Sequence, residues 1–143
     1  MNFNYPKVRF ECLKCALCCG DTKTRVRRIL LLKKETERIS EATSKTITEF
    51  AERIKGHSPY IYEMRKTAQN GKCVFLKDDR CIIYTLRPVI CRFYPFELKV
   101  TKDDGHEFCF TEECLGIRKG KMLEKEYFKD LLKQLHQVLN NNS

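Results

Sequence analysis

Histidine is scarce in this chain, and long apolar runs are absent. His57, His106 and His136 are its only histidines, and they stand far apart, so a zinc finger built on paired histidines is excluded. No apolar stretch approaches the roughly 18 residues that would span a bilayer. The segment from Met1 to Lys7 also lacks the apolar run of a signal peptide. We therefore expect a cytoplasmic protein without a membrane partner.

Several signatures of catalysis and nucleotide binding are missing as well. The sequence contains no glycine-rich phosphate loop, no paired-carboxylate array and no Ser/His/Asp spacing. With 143 residues, 42% hydrophobic and 33% charged, the chain suits one soluble domain over residues 1–143.

The formal charge of +9 overstates how basic the protein is if its cysteines bind metal. A four-thiolate zinc site or a four-thiolate [4Fe–4S] centre carries net negative charge, so two such centres would leave the loaded protein only mildly basic. This balance argues against nucleic acid as the partner.

Cysteine, in contrast, is abundant. Nine occur, four of them in the run Cys12-x2-Cys15-x2-Cys18-Cys19, a spacing at which sulfurs can converge on one ion, as in bacterial-type ferredoxins. Thiolates suit zinc, copper(I) and iron–sulfur clusters. A disulfide framework is the weaker interpretation, because a reducing compartment keeps thiols free and the cysteine count is odd.

Cys18 and Cys19 are adjacent in sequence, which affects whether the whole cysteine run can bind a single ion. In extended backbone, neighbouring side chains point to opposite sides, so we expect the two sulfurs not to serve one ion. The N-terminal segment would then reach two centres, or one centre and a free thiol.

The remaining ligands must come from later in the chain. Cys73, Cys81 and Cys91 are the natural candidates, with Cys109 and Cys114 as the remainder. Eight of the nine cysteines would complete two four-thiolate sites, while a single cluster with the other cysteines buried in the core is also open.

Two arginines flank one of these cysteines. Arg87 and Arg92 bracket Cys91, and cations beside a thiolate lower its pKa and offset the charge of a sulfur-ligated centre. We expect both to support the centre without binding it, although a surface role beside Pro88 is the alternative.

The hydrophobic pattern predicts a small α+β domain with short β-hairpins, amphipathic helices and a cysteine-ligated metal core. Predicted strands cover 23–32 and two hairpins, 73–84 and 96–111, the second with Cys109 on its return strand. Predicted helices cover 33–40, 46–56, with a Thr46/Glu49 capping box and a closing Gly56, and 121–139, with a weaker one at 60–69.

A set of motifs, taken together, is specific. It comprises Phe10-x-Cys12-x2-Cys15-x2-Cys18-Cys19, a Leu-x2-Glu element at Leu32 to Glu35, Cys73-x-Phe75-Leu76, Cys81-x-Ile83-Tyr84, and Arg87-Pro88-x2-Cys91-Arg92-x-Tyr94-Pro95-Phe96. From about residue 10 to residue 96 the chain resembles the CxxCxxCC (YkgJ-like) cysteine-cluster family of zinc- or iron-chelating domains.

The resemblance implies that chelation falls to seven cysteines: Cys12, Cys15, Cys18, Cys19, Cys73, Cys81 and Cys91. Cys109 and Cys114 lie beyond the matched stretch. The much longer flagellin lysine N-methylases look similar in carrying a related cysteine cluster, thought to hold a [4Fe–4S] centre.

Three functions are consistent with these observations. The first is a metal protein holding an iron–sulfur cluster or zinc for electron transfer, redox sensing or metal handling, with an unknown protein or redox partner. The second is a cluster- or metal-dependent enzyme. The third is a structural zinc module that binds protein or RNA through its Lys23 to Lys34 face. The ferredoxin-like triple favours iron–sulfur over zinc.

Overall fold

The fold combines four helices with short strands among the residues that the computed structural model describes, 3–14 and 16–142. The helices are α1 (Lys33–Thr43), α2 (Ile47–Phe50), α3 (Val89–Phe93) and α4 (Lys125–Asn140). The strands are β1 (Phe3–Asn4), β2 (Arg9–Phe10), β3 (Leu30–Leu31), β4 (Ala51–Arg53), β5 (Tyr62–Met64), β6 (Leu76–Lys77), β7 (Arg80–Cys81), β8 (Phe96–Val100), β9 (His106–Phe110) and β10 (Ile117–Met122). The predicted mixed α+β class is confirmed.

The sheets join distant parts of the chain. In one three-stranded sheet the β8–β9 hairpin receives β1 parallel to β9, and in a two-stranded sheet β10 pairs antiparallel with β2. Both arrangements pair an N-terminal strand with a strand from the last third of the chain. The strands β3, β5 and β4 form a second three-stranded sheet, and β6 and β7 form a hairpin.

Two clusters of buried side chains hold these elements together. Core 1 packs α4 against the β8–β9 hairpin and α3; its buried members are Val8, Val89, Phe93, Phe96, Phe108, Cys114, Ile117, Phe128, Leu131 and Leu132. Core 2 packs α1 against the β3–β5–β4 sheet; its buried members are Ile29, Leu31, Ile39, Phe50, Ala51, Met64, Cys73, Phe75 and Ile83. The helix α3 lies between them, since Ile90 and Cys91 pack against core 2.

The helix predicted over 46–56 is wrong in extent. It ends at Phe50 after one turn, and the next three residues form β4, which pairs with β5. The predicted capping box is also wrong, because the Thr46 side chain makes no cap hydrogen bond and only its carbonyl accepts from the Glu49 N–H, at 3.0 Å. Gly56, at φ 84°, turns the chain between two strands. The burial of Phe50 and Ala51 is compatible with a helix or with a strand. Pairing of 51–53 with β5 makes this part of the segment a strand.

Three other boundaries differ from prediction. The segment 60–69 holds the strand β5 instead of a helix, because β3 and β4 pair with it on both sides. Of the strand predicted over 23–32, only Leu30–Leu31 pairs. The helix α4 begins at Lys125, since 121–122 still belong to β10. At 16 residues it is the longest helix described, and among the described residues no helix is long and apolar enough to cross a bilayer.

Both predicted hairpins are confirmed. The strands β8 and β9 pair over five residues each, with Cys109 opposite Glu97 on the return strand. The first hairpin is shorter than predicted, with Leu76 opposite Cys81 and a two-residue turn of Asp78 and Asp79. The helix α1 extends to Thr43, three residues beyond its predicted end, and buries Ile39.

Candidate metal centre

The N-terminal cysteines lie on a loop that glycines fix at both ends. At its start the Glu11 N–H donates to the Gly116 carbonyl at 3.1 Å, and a Cβ at position 116 would lie 2.0 Å from the Glu11 carbonyl oxygen. At its end Gly20 pairs with Lys72, and a Cβ there would lie 2.6 Å from the Gly71 carbonyl oxygen. Only glycine permits such close backbone approaches. The loop therefore spans from core 1 to core 2.

Cys18 and Cys19 lie side by side, so the expectation that they point to opposite sides is wrong. Residues Leu17–Cys19 form a turn of 3-10 helix instead of extended backbone. The two Sγ atoms are 3.8 Å apart, within hydrogen-bonding distance for sulfur. Neighbouring sulfurs around a tetrahedral zinc ion with bonds of about 2.3 Å are separated by roughly 3.8 Å. The pair is therefore spaced to bind one ion together.

Cys19 connects two further thiols. Its sulfur lies 3.8 Å from that of Cys18, and it also interacts with the thiol of Cys81. Interaction with Cys19 lowers the pKa of Cys18 to about 6 and that of Cys81 to about 7, and the pKa of Cys19 itself is raised. Two thiolates are thus available near neutral pH, and the thiolate is the form that binds metals.

Cys73 and Cys91 complete this group from the interior. Burial raises the pKa of Cys73 to about 11 and that of Cys91 to about 12. The Phe75 N–H donates to the Cys73 sulfur at 3.4 Å. Each of these pKa values also responds to the charges of Cys18 and Cys81, so the five cysteines form one electrostatically connected group. A metal would have to displace the protons of the buried members.

Four cysteines line one cavity of about 160 Å³. They are Cys12 and Cys18 from the N-terminal loop, Cys91 from α3, and Cys114 from the turn before β10. Cys12 is exposed, whereas Cys114 is buried. Burial, and then the charge of Cys12, raises the pKa of Tyr127 in the same wall. Three separate segments of the chain thus contribute cysteines to the lining of one cavity.

Cys15 and Cys109 stand outside this description for different reasons. Cys15, predicted as a ligand, lies outside the described residues. Cys109 lines a different cavity, on the face of β9 beside Phe110 and Thr111. The structure therefore brings Cys114, but not Cys109, to the candidate site.

Both predicted arginines lie at the cavity. Arg87 and Arg92 are among its lining residues, and the Arg92 guanidinium donates to the Arg87 carbonyl at 3.1 Å. The Arg87 guanidinium stacks 3.9 Å from the centroid of the Tyr84 ring. Its charge contributes to the lowered pKa of Cys18 and Cys81.

Arg27 is a third cation at the site, and sequence reasoning missed it. Its Nε donates to the Cys18 carbonyl at 3.0 Å and its Nη2 to the Ile90 carbonyl at 3.5 Å. Its charge favours the thiolate at Cys18, Cys73 and Cys91. The alternation of cations at 23–27 gives no signal that this arginine turns inward.

Glu35 explains the Leu-x2-Glu element. One carboxylate oxygen accepts from the Leu32 N–H at 3.0 Å, and the other accepts from the Val89 N–H at 2.7 Å. The buried carboxylate therefore links the start of α1 to the start of α3, the helix that carries Cys91. This contact fixes where that cysteine lies.

The cysteine side chains lie near one another, but those described do not converge on a single metal position. Among residues 3–14 and 16–142, no three His, Cys, Asp or Glu side chains converge closely enough to hold an ion. Lys14 and Ala16 have φ values of 54° and 66°, a costly conformation for side-chain-bearing residues. The donor set nevertheless fits a thiophilic metal.

These features define a small α+β domain built around clustered thiols. Residues 11–115 match the model of the CxxCxxCC family, described as "Putative zinc- or iron-chelating domain". The chain belongs to this family, and membership supports metal binding.

Two curated relatives align with most of this chain. The uncharacterized protein MJ0661 of Methanocaldococcus jannaschii is 31% identical over 129 residues, covering 85% of this chain and 66% of the relative. The uncharacterized protein MJ0939 of the same organism is 24% identical over 139 residues, covering 92% of this chain and 46% of the relative. The chain thus spans less than two thirds of the length of each relative. No solved structure matches it significantly.

Proposed function

We propose that this protein binds an iron–sulfur cluster through cysteine thiolates and serves as a redox carrier or sensor. The observation that supports this most directly is the cavity lined by Cys12, Cys18, Cys91 and Cys114. Four thiolates are the usual ligand set of [2Fe–2S] and [4Fe–4S] clusters. When bound, such a cluster supplies reversible one-electron chemistry, and the exposure of Cys12 supports a position near the surface.

The size of the cavity favours a polynuclear group over a single ion. At about 160 Å³ it is several times larger than the ~30 Å³ that one water molecule occupies in the liquid. A single metal ion, about as large as a water molecule, would leave most of the cavity unfilled. Arg27, Arg87 and Arg92 lie around the sulfurs, where their charges would offset the negative charge of a thiolate-bound cluster.

A second candidate is a single zinc or iron ion at the neighbouring group of thiols. The 3.8 Å separation of the Cys18 and Cys19 sulfurs supports it, as do the nearby thiols of Cys73 and Cys81. Cys18 lies in both arrangements, so the two centres would compete for it unless Cys15 substitutes in one of them.

The test is a metal and sulfide analysis of protein purified without air. We expect iron with matching acid-labile sulfide and a broad visible absorption band. Cys91→Ser and Cys114→Ser should lose most of the iron and sulfide, because each removes a sulfur from the cavity. Cys109→Ser is the matched control, because Cys109 lines a different cavity, and it should keep the wild-type content.

Three outcomes would count against the proposal. Stoichiometric zinc without sulfide in the anaerobic protein would replace it with the second candidate, and Cys19→Ser should then remove the zinc. Loss of iron in Cys109→Ser, with retention in Cys114→Ser, would refute the ligand set. Protein that holds neither metal would refute both candidates. Circular dichroism of each variant separates metal loss from unfolding.

A further inference from the structure

A second and larger cavity lies on the other side of Arg27. Its volume is about 440 Å³, and it opens between the segment 25–30, the end of α3 and the exposed face of the β8–β9 hairpin. We propose that this cleft binds a small organic phosphate monoester. The proposal does not rest on the metal centre, because none of the cysteines assigned to that centre lines the cleft.

The charge of the cleft is strongly positive. Four cations line it, Arg25, Arg27, Arg28 and Lys99, against the single carboxylate of Glu97. Two of the cations are paired with acids outside the cavity wall: Arg25 with Glu113 at 3.3 Å and Arg28 with Glu63 at 2.6 Å.

The other two cations are not neutralised in this way. Within the described part of the chain, neither Arg27 nor Lys99 forms an ion pair. Counted together with the carboxylate of Glu97, they leave a net positive charge in a concave site, which favours an anionic ligand.

The two inner guanidiniums are held in place before any ligand binds. Arg25 and Arg27 lie 5.1 and 5.4 Å from the centroid of the same Tyr94 ring. Arg27 is fixed further by its donations to the carbonyls of Cys18 and Ile90. Because Nε and Nη2 of Arg27 are used in these contacts, its Nη1 is the donor left for a charge-assisted hydrogen bond to a phosphate oxygen. Little side-chain entropy would be lost when they bind.

Much of the rest of the wall is apolar, which is why we infer an organic ester instead of free phosphate. Val26, Leu30, Ile90, Phe96 and Phe110 line it. A volume of about 440 Å³ lies within the range of roughly 300–1,000 Å³ typical of small-molecule sites. Inorganic phosphate would leave most of this space and its apolar wall unused.

Isothermal titration of the full chain with phenyl phosphate tests the inference. We expect saturable binding, with inorganic phosphate and benzoate each binding at least roughly tenfold more weakly, because each lacks one of the two recognised features. Lys99→Gln should weaken the affinity for phenyl phosphate by roughly tenfold. Lys102→Gln is the control, since this exposed lysine lies in the turn of the same hairpin, outside the lining. Arg27→Gln should reduce binding further.

Several results would overturn the inference. No saturation by phenyl phosphate at millimolar concentration would do so, as would equal affinities for benzoate or inorganic phosphate. Equal affinities of the wild type and Lys99→Gln for phenyl phosphate would also refute it. This variant leaves Arg27, which also contacts the thiol group, unchanged. Metal content measured on the same samples tells a failure here apart from a failure of the metal proposal.

Discussion

Arg27 shows how one residue can serve two sites. Its guanidinium donates to the carbonyl of Cys18 on one side and lines the cationic cleft on the other. Neither role follows from the sequence, where it is one of several alternating cations. Arg87 was predicted because it is close to Cys91 in sequence, whereas Arg27 lies 63 residues from Ile90, whose carbonyl it contacts. Proximity created by folding cannot be inferred from spacing alone.

Glu35 gives a pH-dependent prediction at this scale. Burial raises its pKa above the ordinary 4.5, so the folded state holds its proton more tightly than the unfolded state. The contribution of this carboxyl to stability is therefore largest below the ordinary pKa and declines as the pH rises through the folded pKa. Glu35→Gln should lose roughly 1–3 kcal/mol at low pH, since its amide cannot accept from both the Leu32 and Val89 N–H groups.

The measurement is urea unfolding of both proteins from about pH 4 to pH 8. The stability advantage of the wild type over Glu35→Gln should shrink as the pH rises, because the folded protein holds the Glu35 proton more tightly. The titrations of all other groups cancel in the difference between the two proteins. Glu41→Gln removes a charge from the exposed face of the same helix, and it should change stability little. An advantage that grows with pH would contradict the assigned direction of the shift.

At the scale of elements, the turn of the β6–β7 hairpin is strained. Asp78 and Asp79 both have positive φ, 50° and 60°, as a two-residue type I′ turn requires. Glycine tolerates this conformation better than other residues. Asp79→Gly should therefore raise the free energy of unfolding by up to about 1 kcal/mol.

The control substitution is Asp79→Val, which should lower that free energy because a β-branched side chain fits positive φ poorly. Urea unfolding measures both changes. Equal stabilities of the two variants would show that the turn does not impose the observed backbone conformation in solution.

The elements that were predicted correctly are those with local signals. Asp-Gly and paired aspartates mark the turns of the two hairpins, and the apolar stripe of α4 follows helical spacing. The segment 51–64 was misassigned because its apolar residues fit a helix, whereas pairing between β4 and β5 makes it a sheet. The strands β1, β2 and β10 were missed, since each is paired with a strand far away in sequence.

The candidate site was predictable to a similar extent. Cysteine density and spacing predict which sulfurs are candidate ligands. Their grouping depends on a turn at Leu17–Cys19 that places adjacent side chains together. The inclusion of Cys114 and not Cys109 depends on the pairing of β9 with β8 and of β10 with β2, which directs the two residues to different cavities. No spacing rule within the sequence reports such pairing.

For the molecule as a whole, metal and fold should be coupled. Of the proposed cluster ligands, Cys114 belongs to core 1, while Cys91 lies on α3 and packs against core 2. A bound centre would therefore crosslink both cores. Removing the metal with a chelator should lower the melting temperature markedly, because ligand-binding energy contributes to folding. Scanning calorimetry of the loaded and chelated protein provides the measurement.

The same comparison in Cys109→Ser should give an equal drop in melting temperature. Identical melting temperatures of loaded and chelated wild-type protein would show that the centre is peripheral to the fold.

The pairing of β2 with β10 also sets the order of events during synthesis. Phe10 lies opposite Ile117, so the loop that carries the first cysteines cannot take its place until that strand has left the ribosome. At about 5–20 residues per second, those thiols wait roughly 5–20 s in an unfolded segment. A centre bound by these thiols would therefore assemble only after β10 has been made, and until then oxidants and competing metals could reach the nascent cysteines.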